Sequence, residues 1–213
     1  MALNFPANPV NGQVYNSGYA SYTFNSTSNA WIISAASLAP GIVGGSLGVS
    51  GSLTVGTHSV ARVSTSTFVL SDGDFVVDGD CQSAQYVLRA SQNTSTSWVL
   101  SLDGTVPGST TNQIVLAAGA FITFSAMVTF KDIVTGDAKM WRIDGSIKRP
   151  TNAASTNLVT APSVTLLAAD TSASSWTLNT LADTTNGALQ FVGQASSGNT
   201  IRAGAIVTTM EII

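Results

Sequence analysis

The chain has 213 residues, with 8 Lys and Arg against 11 Asp and Glu and a formal net charge of −3. Hydrophobic residues make up 44% but charged residues only 9%, where an ordinary globular protein carries about 25%. This excludes charge-driven disorder; the scattered cations give no basic stripe for nucleic acid, and no apolar run reaches the ~18 residues of a membrane span.

A lone cysteine, Cys81, excludes an intrachain disulfide, and with the single histidine, His58, it falls short of a structural zinc site. Met1 is not followed by a basic and then an apolar segment, so no export signal is expected. Glu211 is the only glutamate, and Thr, Val, Ser and Gly dominate, a mixture that favours strands and turns over helix. With so few charges, solubility rests on surface hydroxyls and on apolar faces hidden between copies. The expected class is all-β and multimeric.

In chain order, residues 1–36 form a small aromatic hairpin module. Pro6, Pro9 and Asn11-Gly12 force turns, Tyr22 and Phe24 alternate with polar neighbours, and Trp31 opens the return strand after the polar turn Asn25 to Asn29. Residues 37–59 are a Gly/Ser-rich segment with apolar residues at Leu47, Val49, Leu53 and Val55. A flexible linker has no reason to keep this period-2 row. The segment is therefore read as an extended β shaft, its row buried against identical rows of other chains as a trimer interface. Residues 60–213 carry the remaining strands. Phe68–Leu70 and Phe75–Val77 flank Asp72-Gly73 as an expected hairpin. Strands then follow at Tyr86–Leu88, Trp98–Leu102, Ile114–Leu116, Phe121–Phe130, Trp141–Lys148, Val164–Leu167, Trp176–Leu178, Leu189–Val192 and Ile201–Ile213. Short strands at this spacing read as a β-sandwich or jelly-roll-like domain.

Candidate chemistry is sparse. Asp72, Asp74, Asp78 and Asp80 could supply oxygens to calcium, but they lack the EF-hand spacing and their glycines sit where turns need them. Turn chemistry is the favoured reading, with calcium the alternative. His58 has no local partner pattern for a nucleophilic triad, and Asp170 with Asp183 is the one carboxylate pair considered for glycan cleavage. Acidic company would raise the Cys81 thiol rather than activate it. Trp31, Trp98, Trp141 and Trp176 each lie in an apolar-alternating strand and read as packing residues rather than sugar platforms. No catalytic residue, cofactor or metal ligand is assigned, and no enzymatic activity is expected.

The opening Leu3-Asn4-Phe5-Pro6-Ala7-Asn8-Pro9-Val10-Asn11-Gly12-Gln13-Val14-Tyr15, with Tyr22-Thr23-Phe24-Asn25 and Ala30-Trp31, resembles an N-terminal module of tailed-bacteriophage structural and tail-fibre proteins. Gly44 to Gly56 is similar to phage fibre shafts, although far shorter. Trp141 to Arg149, Leu166 to Asp170, Ser175-Trp176, Ala182 to Leu189 and Thr200-Ile201-Arg202 resemble a C-terminal β domain of phage fibre and virion proteins. Residues 60–120 carry no match. The resemblance implies a homotrimeric, surface-exposed virion component assembled in the bacterial cytoplasm, a short tail or baseplate fibre. Its partners would be its own copies, tail or major capsid proteins, and a host-surface glycan. A capsid decoration protein and a carbohydrate-binding or glycan-cleaving spike are the alternatives.

Overall fold

The computed structural model describes residues 5–16, 20–36, 52–63, 67–93, 95–105, 107–195 and 198–213. The chain divides into two compact units, Met1–Gly48 and Val49–Ile213, both all-β among the described residues apart from two single 3-10 turns.

In the first unit, β1 (Val14–Asn16), β2 (Ala20–Asn25) and β3 (Ala30–Ala36) form a three-stranded antiparallel sheet, one strand more than the aromatic alternation alone suggests. The β2–β3 turn forms because the Asn25 side chain accepts the N–H groups of Thr27 (2.9 Å) and Ser28 (3.2 Å). Phe5 lies within 5.0–5.1 Å of the rings of Tyr15, Tyr22 and Trp31, stacking on Trp31. A sheet this small is marginal by itself, and the aromatic cluster supplies its apolar face.

The second unit holds two sheets. The eight-stranded one runs β11–β10–β9–β15–β6–β5–β4, with β12 also pairing β10. Its members are β4 (Leu53–Val55), β5 (Thr67–Leu70), β6 (Cys81–Gln92), β9 (Phe121–Asp132), β10 (Ala138–Lys148), β11 (Asn157–Leu158), β12 (Ser163–Ala169) and β15 (Ile201–Ile212). The four-stranded sheet is β13 (Thr177–Asp183), β14 (Ala188–Gln194) and β7 (Trp98–Val99), with β8 (Ile114–Val115) also on β14. Period-2 alternation puts Ile122, Phe124, Ala126, Val128 and Phe130 of β9 and Trp141, Ile143 and Ile147 of β10 on the buried face. They join Leu189 and Phe191 of β14, Trp98 and Trp176 in one core.

The core is tightly packed at Gly193. A Cβ there would come within 2.6 Å of both the Phe130 and Trp98 rings, so the glycine is what lets β14 approach. Lys139 of β10 is buried too: its Nζ donates to the carbonyls of Ser174 and Trp176 at 2.8 Å and lies 5.3 Å from the Trp141 ring.

One local expectation is corrected, and the Gly/Ser-rich segment gains an intrachain partner. Phe75–Val77 is not the second arm of a hairpin; the partner of β5 is β6, and residues 71–80 form the loop between them. Leu53 and Val55 have a partner within the chain, since β4 pairs in parallel with β5. The described part of the Gly/Ser-rich segment, residues 52–59, thus belongs to the second unit. Leu47 and Val49 lie outside the described residues.

Phe191 is fully buried between the sheets, edge-on to Phe124 at 6.1 Å. Phe191→Ala should cost about 3–5 kcal/mol of unfolding free energy, measured by denaturant titration, with β structure retained in the circular dichroism spectrum.

Candidate functional site

Among the described residues, the outer face of the large sheet carries exposed apolar side chains. Ile206 of β15 lies opposite Val87 of β6 and Met127 of β9, and the three are 54%, 52% and 50% exposed. Two rows further, Ser83 separates Leu70 from Met210, and Val55 lies opposite Leu70. Ile212 ends the face between Cys81 and Phe121, and Phe68 flanks it on β5. The nine large apolar side chains of this face are 37–54% exposed. Together they leave on the order of 700 Å² in water, above the ~300–600 Å² of the largest patch on a typical monomer.

Charge is kept to the margins of that face. Arg142 and Asp144 on β10 pair at 2.9 Å, and Lys131 lies opposite Arg202 at the far end. Leu53 and Val55 therefore stand at the edge of a larger apolar surface, not in a separate row.

One corner of the face is a built loop. The carboxylate of Asp80, 2% exposed, accepts the backbone N–H groups of Phe75 (2.8 Å), Val76 (2.6 Å) and Val77 (2.9 Å). These bonds, that from Val77 foremost, hold its pKa below the usual carboxylate range. Gly79 N–H donates to the carbonyl of His58 (2.7 Å), tying the loop to residues 56–60. Gly56 is indispensable to this tie, because a Cβ there would fall 1.7 Å from the Ser71 carbonyl oxygen. With its backbone so held, the loop presents Phe75, Val76 and Val77 outward.

His58 closes the other side. Its Nδ1 lies 2.5 Å from Asp78 Oδ1 and 3.7 Å from Asp74 Oδ2. The hydrogen bond to Asp78, then the charge of Asp74, raise the His58 pKa above its ordinary value. The acidic cluster is thereby divided: Asp80 serves the backbone, while Asp74 and Asp78 converge on His58. Among the described residues this is the one group of ligand-type side chains that converges, its atoms lying within 4.8 Å of one another.

Behind the loop, Arg62 Nε lies 3.2 and 3.1 Å from the two oxygens of Glu211, and Gln82 donates to Glu211 at 2.7 Å. Arg62 also donates to the Gly79 carbonyl (2.7 Å), and Gln82 accepts Val60 N–H (2.9 Å). Burial, then the Glu211 charge, push the Tyr86 phenol above its ordinary pKa. Sequence reasoning missed this network, although a lone glutamate on the buried period of Ala203, Ala205 and Val207 was its signal.

The carboxylate pair considered for glycan cleavage serves turns. Asp170 accepts Ala138 N–H (2.8 Å) beside β12, while Asp183 accepts the N–H groups of Thr185 (2.9 Å) and Asn186 (3.1 Å) at the end of β13. Cys81 is half-buried and lines a groove of about 470 Å³ with Val55, Leu70 and Met210. Trp98, Trp141 and Trp176 are buried in the core. No protein-family model matches the chain, and no curated protein is similar to it.

Two measurements probe the site. Glu211→Ala removes the charge partner of Arg62 and the acceptor of the Gln82 amide in a mostly buried setting, and should cost about 3 kcal/mol by denaturant titration. The single histidine gives one imidazole resonance to follow by NMR. Because folding raises its pKa, the His58 contribution to stability is complete below about pH 6.5 and fades as pH rises through the elevated folded value. The titration midpoint should lie above 6.5 and fall in Asp78→Asn.

Proposed function

We propose that the protein is a non-enzymatic, homotrimeric structural component of a bacteriophage virion: a short tail or baseplate appendage. The aromatic N-terminal unit would dock to the particle, and the two-sheet unit would project outward toward a host-surface glycan. The reading rests on the resemblance of both ends of the chain to phage virion proteins, and one structural observation carries the assembly. The outer sheet face leaves on the order of 700 Å² of uncharged, largely apolar surface, close to the ~800 Å² each partner contributes to a standard interface, with its charges at the rim as in interfaces generally.

Copies of the same chain are the economical cover for such a face, since closed symmetric assembly hides it on every subunit at once. A capsid decoration trimer is the second reading. It is favoured by the shortness of the shaft, since Leu53–Val55 is already a strand of the two-sheet unit.

Light scattering should give three times the 21.8 kDa chain mass. Ile206→Asp should reduce it to one chain with an unchanged circular dichroism spectrum, because the residue faces solvent in the single subunit. A monomeric wild type would refute the assembly. Labelled protein on intact particles, imaged by electron microscopy, assigns it to tail or shell; absence from both would refute the virion reading.

A further inference from the structure

We infer that His58, Asp74 and Asp78 form a binding site for one divalent first-row transition ion of the zinc type. The inference is independent of the virion and assembly readings above. Among the described residues, no backbone N–H or hydroxyl donates to Asp74 or Asp78; both carboxylates face the one imidazole nitrogen. The turn chemistry that accounts for Asp80 therefore does not account for them. Two carboxylates on one imidazole leave a negative charge in excess even when the ring is protonated. Arg62, the cation that reaches this loop, is already committed to Glu211 and the Gly79 carbonyl. A doubly charged ion between the carboxylates relieves that excess.

The spacing suits such an ion. Donors bound to a tetrahedral zinc stand about 3.3 Å from one another, given metal–ligand distances of about 2.0–2.2 Å. His58 Nδ1 lies 2.5 Å from Asp78 Oδ1 and 3.7 Å from Asp74 Oδ2, so the two separations bracket that value. The three donor atoms all lie within 4.8 Å of one another. The side chains are 31–66% exposed, free to close the remaining gap and to leave water the open positions. Their backbones, by contrast, are tied: Gly79 N–H holds the His58 carbonyl, and Asp80 holds residues 75–77.

The imidazole selects the metal. Calcium takes six to eight oxygens, whereas one imidazole with two carboxylates suits zinc and its neighbours. Binding replaces any Nδ1 proton by the ion, and the proton leaves to water. The bound ion clips His58 to the β5–β6 loop across twenty residues of chain.

The test is calorimetric titration of zinc chloride into the full chain after dialysis against a chelator. One ion should bind per chain, the single imidazole resonance should shift in step by NMR, and the melting temperature should rise. Calcium chloride at the same concentrations should do none of these. Asp74→Asn and Asp78→Asn should each weaken zinc about tenfold or more. His58→Asn should abolish binding, and asparagine tolerates the left-handed backbone of that position, φ 67°. Cys81→Ser should bind as wild type, which separates the site from the lone thiol. Zinc binding that survives His58→Asn, that is lost with Cys81, or that leaves the imidazole resonance unmoved overturns the proposal. So does a wild type that binds no zinc at submillimolar concentration or prefers calcium; these readings need no variant to fold.

Discussion

Strand β15 holds register with β6 on one side and β9 on the other through twelve consecutive pairs each, without a bulge. Because side chains alternate with a strict period of two, a slip of one residue would exchange the buried and exposed faces of all three strands together. The central strand is also thin on its inner side. Ala203 lies between Ala90 and Phe130, and Ala205 between Leu88 and Val128. Both alanines belong to the same core as Phe130, Phe191 and Trp98.

The same register governs the outer face. Once Ala203, Ala205, Val207, Thr209 and Glu211 point inward, Ile206, Met210 and Ile212 must point outward. Their neighbours Val87, Met127 and Phe121 follow by pairing. The apolar outer surface is therefore a consequence of sequence choices at alternate positions. Charges sit at the margins of that face and in the Arg62–Glu211–Gln82 network, which pins residues 60–62 to the inner end of β6 and β15.

The all-β class and the long alternating strands were legible because their signal is local: one reads Ile122 to Phe130 and sees a buried face. Three features were not. Phe75–Val77 has strand composition, but Asp80 offers its backbone a carboxylate in place of a sheet partner, and that competition is decided by a residue outside the run. Leu53 and Val55 were readable as an apolar row, yet their partner β5 is a short parallel neighbour that no turn announces. His58 meets Asp78 across twenty residues, a distance at which spacing carries no information.

Glu211 shows how a buried charge can reinforce the register that the alanines allow. It sits on the inner side of β15 at the last pair but one, opposite Gln82 on β6 and Ile122 on β9. Moved by one position it would enter solvent, where it loses Arg62, and Met210 or Ile212 would take the inner place. The alternative register thus strands Arg62 without its partner as well as exposing the inner apolar row. Buried ion pairs are poor sources of net stability, but they penalise wrong arrangements strongly because removing one partner leaves the other unsolvated. The network also ties register to surface. Arg62 holds the Gly79 carbonyl, Gly79 holds His58, and Asp80 beside them fixes the Phe75–Val77 tip. Correct pairing of β15 in the interior and correct display of the apolar loop at the corner are, by this chain of contacts, one structural condition.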